Sequence, residues 1–190
     1  DRPAPGDSET QWSRLAARYL RKEFTLAKKV ERATVHIAGM GLYELFVNGQ
    51  RIGAQVLAPA PTDYRKTILY NTYDVTPMLR KENAIGVTLG NGRFYTLRQT
   101  YKPYKIPTFG YPKLRLNLII EYADGSRETI VSNTSWKLTT EGPVRSNNEY
   151  DGEEYDARKE LGDWTLAGYD DKEWMPAQRV GIPSGTLRAQ

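Results

Sequence analysis

The sequence contains no cysteine and a single histidine, His36, in 190 residues. Without cysteine there is no disulfide, no cysteine-ligated zinc or iron–sulfur centre and no thiol nucleophile. The compartment stays open on that ground, because a secreted protein need not carry disulfides. One histidine leaves a Ser-His-Asp triad or a multi-histidine metal site dependent on that residue alone. His36 lies in Ala33-Thr34-Val35-His36-Ile37, where alternation makes it a solvent-facing strand residue. Apolar runs are short as well: none approaches the ~20 residues of a membrane span, and no secretory signal is visible. A dominant charge is also lacking. Lys and Arg total 27 against 23 acids, a net charge of +4, and the basic residues are scattered along stretches such as RYLRKEF (18–24). A nucleic-acid surface would cluster them. Neither a nucleic-acid nor a membrane partner is expected.

What is present is a series of short alternating runs closed by turn residues, the pattern of half-buried strands. Residues 19–26 alternate Leu20, Phe24 and Leu26 with charge; 32–38 carry Val35 and Ile37; 42–47 run into Asn48-Gly49, and Arg51-Ile52 follows. Asn-Gly between such runs signals a type I′ hairpin, whose central residues need positive φ. Strands continue at 67–75, 84–89 and 114–122. A second hairpin turn falls at Asp124-Gly125, returning through 128–131, and runs at 135–139 and 154–158 complete the set. Helix signals amount to one turn at 76–80, with Thr76 as N-cap and Pro77 behind it, and another at 170–174, capped by Asp170 or Asp171. So many short strands with so little helix predict an all-β fold: an antiparallel jelly-roll β-sandwich. The length suits one domain. Residues 1–18 read as a lead-in, 19–177 as the sandwich, and 178–190 as a linker to a further domain. Both ends read as cuts in a longer protein, since the chain opens Asp1-Arg2-Pro3 and stops without a turn or cap.

One connection is long. More than twenty residues separate Leu89 from Leu114, and they include Phe94, Tyr95, Tyr101, Tyr104, Phe109 and Tyr111. Loops of that length are usually functional or disordered, and this ring content argues against disorder. The loop is expected to fold over the sandwich, either shaping a binding face or packing on a neighbouring domain.

The stretch NNEYDGEEYDAR (147–158) gathers Glu149, Asp151, Glu153, Glu154 and Asp156 in a basic chain. Three chemistries compete for it. The start imitates an EF-hand loop, but the twelfth position is Arg158 where a bidentate Glu belongs. A looser calcium site could still draw oxygens from Asn147, Asn148, Asp151 and Glu153. A catalytic carboxylate pair needs ~6.5–9.5 Å for inversion or ~5–5.5 Å for retention. On a strand Glu153 and Glu154 would point apart, while Glu149, Asp151 and Glu153 would share a face. The third chemistry is sugar binding: Asn147, Asn148, Asp151 and Glu153 address hydroxyls, with Tyr150, Trp174 and Tyr95 offering rings. Asn91, before Gly92, could aim at a ligand lying against the long loop. Against all three stands a structural account, in which Gly152 marks a bulge and Asp156 and Arg158 pair with neighbours. Trp136 reads as core; Trp164 and Trp174 lie near turns late in the chain.

Residues 43–53 (YELFVNGQRIG), 63–76 (DYRKTILYNTYDVT), 82–92 (ENAIGVTLGNG), 150–158 (YDGEEYDAR) and 166–177 (LAGYDDKEWMPA) resemble the N-terminal β-sandwich of bacterial α-L-rhamnosidases of glycoside hydrolase family 78. The segments before residue 76 are shared with jelly-roll domains of many glycosidases, the sugar-binding domain of family 2 β-galactosidases among them, so the fold is expected to be galactose-binding-like. The run around Gly-Glu-x-Tyr-Asp-Ala-Arg carries more of the specificity. The resemblance implies an accessory domain without catalytic residues, in a parent enzyme that removes terminal L-rhamnose with inversion. Catalysis would lie in a downstream (α/α)6 barrel. A related module, carbohydrate-binding module family 67, binds L-rhamnose with help from calcium. The implied partners are therefore an L-rhamnose-containing glycan and the catalytic domain of the same chain, with calcium as the one cofactor to consider. A domain that only braces the barrel is the alternative. Enzymes of this kind often act outside the cytoplasm, which leans the expected location to the periplasm or beyond.

Overall fold

Alternation of apolar and polar residues builds the sheets directly. In strand β2 (Val30–Met40), Ala33, Val35 and Ile37 are wholly buried while Thr34 and His36 face outward. In β7 (Lys113–Tyr122), Leu116, Leu118 and Ile120 do the same, and in β3 (Leu42–Val47) Tyr43, Leu45 and Val47. Each Val, Leu or Ile side chain among them contributes roughly 1.5–3 kcal/mol on burial. The computed structural model describes residues 15–95, 109–181 and 183–190.

The remaining strands are β1 (Arg18–Thr25), β4 (Gln50–Ile52), β5 (Thr67–Asp74), β6 (Glu82–Gly90), β8 (Arg127–Val131), β9 (Lys137–Thr139), β10 (Val144–Asn148), β11 (Gly152–Tyr155), β12 (Met175–Pro176) and β13 (Thr186–Ala189). One sheet runs β12-β9-β1-β6-β3-β4 and the other β13-β5-β2-β7-β8, with β10-β11 as a separate hairpin. The inner faces meet in one core that takes Leu20, Leu45, Val47, Ile85 and Val87 from the first sheet and Val35, Ile37, Leu116, Leu118 and Ile120 from the second. This is the expected β-sandwich. Its pairings are antiparallel except that of β13 with β5, which is parallel. Trp136 is core, its Nε1 donating to the Val131 carbonyl at 2.9 Å.

Several local expectations meet corrections. Thr76 opens a 3₁₀ turn (Thr76–Met78), but its hydroxyl does not cap it. That oxygen accepts from the Ala33 N–H at 2.9 Å and donates to Asp74 at 2.6 Å, tying the turn to β2. Residues 170–174 form no helix; the Trp174 N–H closes a turn on the Asp171 carbonyl. The strand expected over 154–158 ends at Tyr155, because Asp156 caps a 3₁₀ turn at Ala157–Lys159. Residues 186–189, read as linker, form β13, which satisfies the otherwise open edge of β5. At the other end Leu15 and Ala17 are buried, and the Ala17 N–H donates to the Val144 carbonyl. The rest of the proposed lead-in, 1–14, lies outside the described residues.

Candidate functional site

The acidic stretch forms the β10-β11 hairpin. Asn147 stands opposite Glu153 and Asn148 opposite Gly152, leaving Glu149, Tyr150 and Asp151 as a three-residue loop. Gly152 sits at φ 77, the left-handed position such a loop needs at its close. Asn148 locks the tip from within: its Oδ1 accepts the N–H groups of Tyr150 and Asp151, both at 2.8 Å, and its Nδ2 donates to Asp151 Oδ2 at 3.1 Å. Because Glu149 and Asp151 lie in this loop, strand alternation does not place them on one face with Glu153. Glu149 instead pairs with Arg93, from the connection after β6, at 2.8 Å. On the far side of the hairpin Asp156 and Arg158 pair with each other, two bonds at 2.8 Å, and the guanidinium holds the Asp156 carboxyl down at about 2.

Asn147 anchors the hairpin to the body. Its Oδ1 accepts the Asn91 N–H at 2.6 Å, and its carbonyl accepts Asn91 Nδ2 at 2.8 Å; the same Nδ2 reaches the Leu15 carbonyl at 2.7 Å. Asn91 is only 2% exposed. These bonds fix both amide orientations, yet Asn91 Oδ1 and Asn147 Nδ2 are buried without a partner among the described residues. A leftover acceptor and a leftover donor in one bonded pair suit a group that both donates and accepts. Tyr95 lies beside them, its N–H on the Asn91 carbonyl, but it is 5% exposed and stacks on Tyr111 with ring centroids 5.6 Å apart. Its neighbour Phe94 packs edge-on against Tyr64 and stacks on Phe109. The described part of the long connection therefore turns its rings inward; Tyr101 and Tyr104 lie outside the described residues.

Trp174 belongs to a different group. It is 8% exposed, packed with Tyr19, Ala17, Val144, Leu161, Trp164 and Tyr169 over the first sheet. Its ring has little surface left to serve as a sugar platform. Beside it lies a residue that sequence reasoning passed over. Arg21 has no exposed surface; Nε donates to the Trp164 carbonyl, the terminal nitrogens to Asp171, to Glu23 and to the Leu166 carbonyl, and the guanidinium lies over the Tyr169 ring. The signal was faint: Tyr19, Arg21 and Glu23 share one face of β1, and a late aromatic segment needs a surface to cover.

Of the eight residues expected to meet a ligand, Asn91, Tyr95 and Asn147 come together but are engaged in packing. Asn148, Tyr150, Asp151 and Glu153 form the hairpin's rim, and Trp174 is apart. The calcium set of Asn147, Asn148 and Asp151 does not fit a cation in this arrangement. Both amide oxygens already accept backbone N–H groups, and among the described residues no three acids or histidines converge.

The family model of the α-L-rhamnosidase N-terminal domain matches residues 28–190. The chain belongs to this family. It is similar to an α-L-rhamnosidase of Formosa agariphila, 44% identical over 93% of this chain and 19% of that protein. The solved α-L-rhamnosidase from Dictyoglumus thermophilum superposes with a TM-score of 0.85 at 45% identity, covering 94% of this chain and 19% of that one. The Streptomyces avermitilis α-L-rhamnosidase, solved in complex with L-rhamnose, gives 0.82 at 38%, covering 90% and 17%. This rhamnosidase-type domain thus spans about a fifth of the length of the relatives it matches. A lectin from Pleurotus ostreatus shares the fold alone, at 19% identity and a TM-score of 0.56.

Proposed function

We propose that this chain is a non-catalytic accessory domain of a longer rhamnosidase-type glycoside hydrolase, and that its β10-β11 hairpin contacts an L-rhamnose-containing glycan. The observation that carries the reading is the hairpin tip. Asn148 holds it rigid from inside, so the outward carboxylates of Asp151 and Glu153, the half-buried Tyr150 and the Arg93–Glu149 pair form a preorganised polar rim. Vicinal sugar hydroxyls are the chemistry such a rim addresses, and preorganisation lowers the ordering cost of binding. A homologue was solved with L-rhamnose, which supports the choice of sugar.

The non-catalytic assignment draws on the carboxyls. Asp63, Asp156, Asp124 and Glu141 are held below the usual range by Arg65, Arg158, Lys28 and Lys159, and Asp74 and Asp170 by donors at Thr76 and Lys172. A glycosidase general acid needs the opposite shift. We assign bond cleavage to another domain of the same polypeptide because the chain spans only about a fifth of the length of its relatives. Calorimetric titration with L-rhamnose, with and without calcium, tests the glycan contact. Asp151→Ala is expected to weaken binding by about tenfold, the scale of one lost charge-assisted hydrogen bond. No heat from the unaltered protein in either condition would leave the second reading, a brace for the catalytic domain. That reading is favoured by the burial of Asn91, Tyr95 and Trp174.

A further inference from the structure

The two most exposed large apolar side chains among the described residues are neighbours: Val56 at 79% and Leu57 at 69%. They stand on the loop between β4 and β5. Its ends are pinned. Arg51, paired with Glu44, donates to the Gly53 carbonyl at 3.1 Å and the Gln55 carbonyl at 2.8 Å. The Tyr73 hydroxyl donates to Gln55 Oε1 at 3.2 Å, and the Tyr43 N–H to the Ala58 carbonyl at 2.8 Å. Leu57 is held at φ 59, a left-handed conformation that disfavours residues carrying a β-carbon. Strain of this kind persists where the surroundings impose it, and it gathers at functional positions. A lone exposed aliphatic residue needs no explanation. Two adjacent ones, held out on a buttressed and strained loop, have one.

Gln190 lies next to this loop. Beyond β13, the Gln190 N–H donates to the Tyr70 carbonyl at 3.0 Å, and Gln190 Oε1 accepts the Ala60 N–H at 3.1 Å. Ala60 is three residues from Leu57, a span of at most ~11 Å. The matching family describes the N-terminal domain of rhamnosidases, and the domain makes up only 19% of a relative such as that of Formosa agariphila. In such a protein, the chain that follows this domain starts beside Val56 and Leu57. A short tether gives whatever follows an effective concentration in the millimolar range, so a few apolar contacts suffice.

We propose that the loop at 53–58 is the docking surface for the polypeptide that follows Gln190, which sets an apolar surface against Val56 and Leu57. The proposal rests on the reading of this chain as one domain of a longer protein, and not on glycan contact. Hydrogen exchange on the full-length polypeptide tests it, with the Asp124 amide at the tip of the β7-β8 turn as internal reference. The amides of residues 56 and 57 are expected to exchange at least about tenfold more slowly than the reference. Val56→Asp, and separately Leu57→Gly, should erase that difference; glycine accepts the positive φ, so the second variant removes the side chain while the loop keeps its course. Equal exchange at the two loops in the unaltered protein overturns the proposal. Protection that grows with protein concentration also overturns it, because the occupant is then a second copy. A natural polypeptide whose mass ends near Gln190 sinks the longer-protein reading and this proposal together, whereas a titration without glycan heat bears on the hairpin alone.

Discussion

Arg21 donates to two carbonyls and two carboxylates, although a strand's outward face would ordinarily leave an arginine in water. Every donor direction of the guanidinium has a use, so its desolvation is offset by charge and geometry together. Removing it leaves Asp171 and two inward-facing carbonyls without their partner. Arg21→Ala is expected to cost about 1–3 kcal/mol, the range for leaving hydrogen-bond partners unsatisfied, because the carboxylates it abandons keep part of their surface in water; urea unfolding monitored by tryptophan fluorescence would read it. Arg21→Lys should recover little, because one ammonium cannot span four acceptors. Asn91 is the same kind of case. Its identity beside a glycine pointed to a turn or a ligand, and the structure gives it to the Leu15 and Asn147 carbonyls. Both roles depend on residues more than fifty positions away, which local patterns do not encode.

Among the elements, the hairpins were the most legible. Asn48-Gly49 adopts φ 49 and 82, as the turn chemistry requires. Asn48 has a second duty that the dipeptide does not reveal: its amide bonds the Met78 carbonyl and Asn83 Oδ1 and accepts the Ala84 N–H. Asn48→Gly separates the two, since it keeps the conformation and deletes the bonds. A loss of ~1–3 kcal/mol, the penalty for leaving buried partners unsatisfied, is expected in thermal unfolding. The β10-β11 hairpin supplies the contrast. A Cβ on Gly152 would meet nothing within 4 Å, so Gly152→Ala should cost only the left-handed backbone preference, roughly 1–2 kcal/mol. At Gly49 the same change would also press on Leu166, 2.9 Å away, and should cost more. A matched pair of denaturation curves checks the order. The helical turns fared less well, because Thr76 and Asp171 found tertiary partners that outcompeted capping.

For the whole molecule, the packing of the sheets and their covering layers shows in the tyrosines. Burial pushes the Tyr19 phenol up to about 12, and burial with the Glu128 carboxylate brings Tyr122 to about 12 as well. Tyr43 is raised further by burial and its bond to Tyr73. In the unfolded chain these groups ionise near ~10. The folded state keeps protons that the unfolded state releases, so this stabilisation is complete below pH ~10 and is lost as pH rises toward 12. Alkaline titration should show part of the tyrosinate absorbance appearing only as near-ultraviolet circular dichroism collapses. Tyrosinate that forms fully before any loss of tertiary signal would contradict the packing described for Tyr19 and Tyr43.

Period-two alternation with Asn-Gly and Asp-Gly turns was enough to determine the main strands of the two sheets and the sandwich class, because each of those strands' buried face is written in its own residues; β10, β12 and β13 carry no such pattern and were not read as strands. The absence of cysteine, likewise, settled at once which site chemistries were closed. Which polar residues face water was decided only by the tertiary structure. Arg21, Asn91 and Trp174 are covered by segments distant in sequence, while Val56 and Leu57, apolar by type, are held out in solvent by a loop anchored elsewhere. Burial is a property of what packs on a residue, and that partner is chosen by the fold rather than by the neighbouring letters.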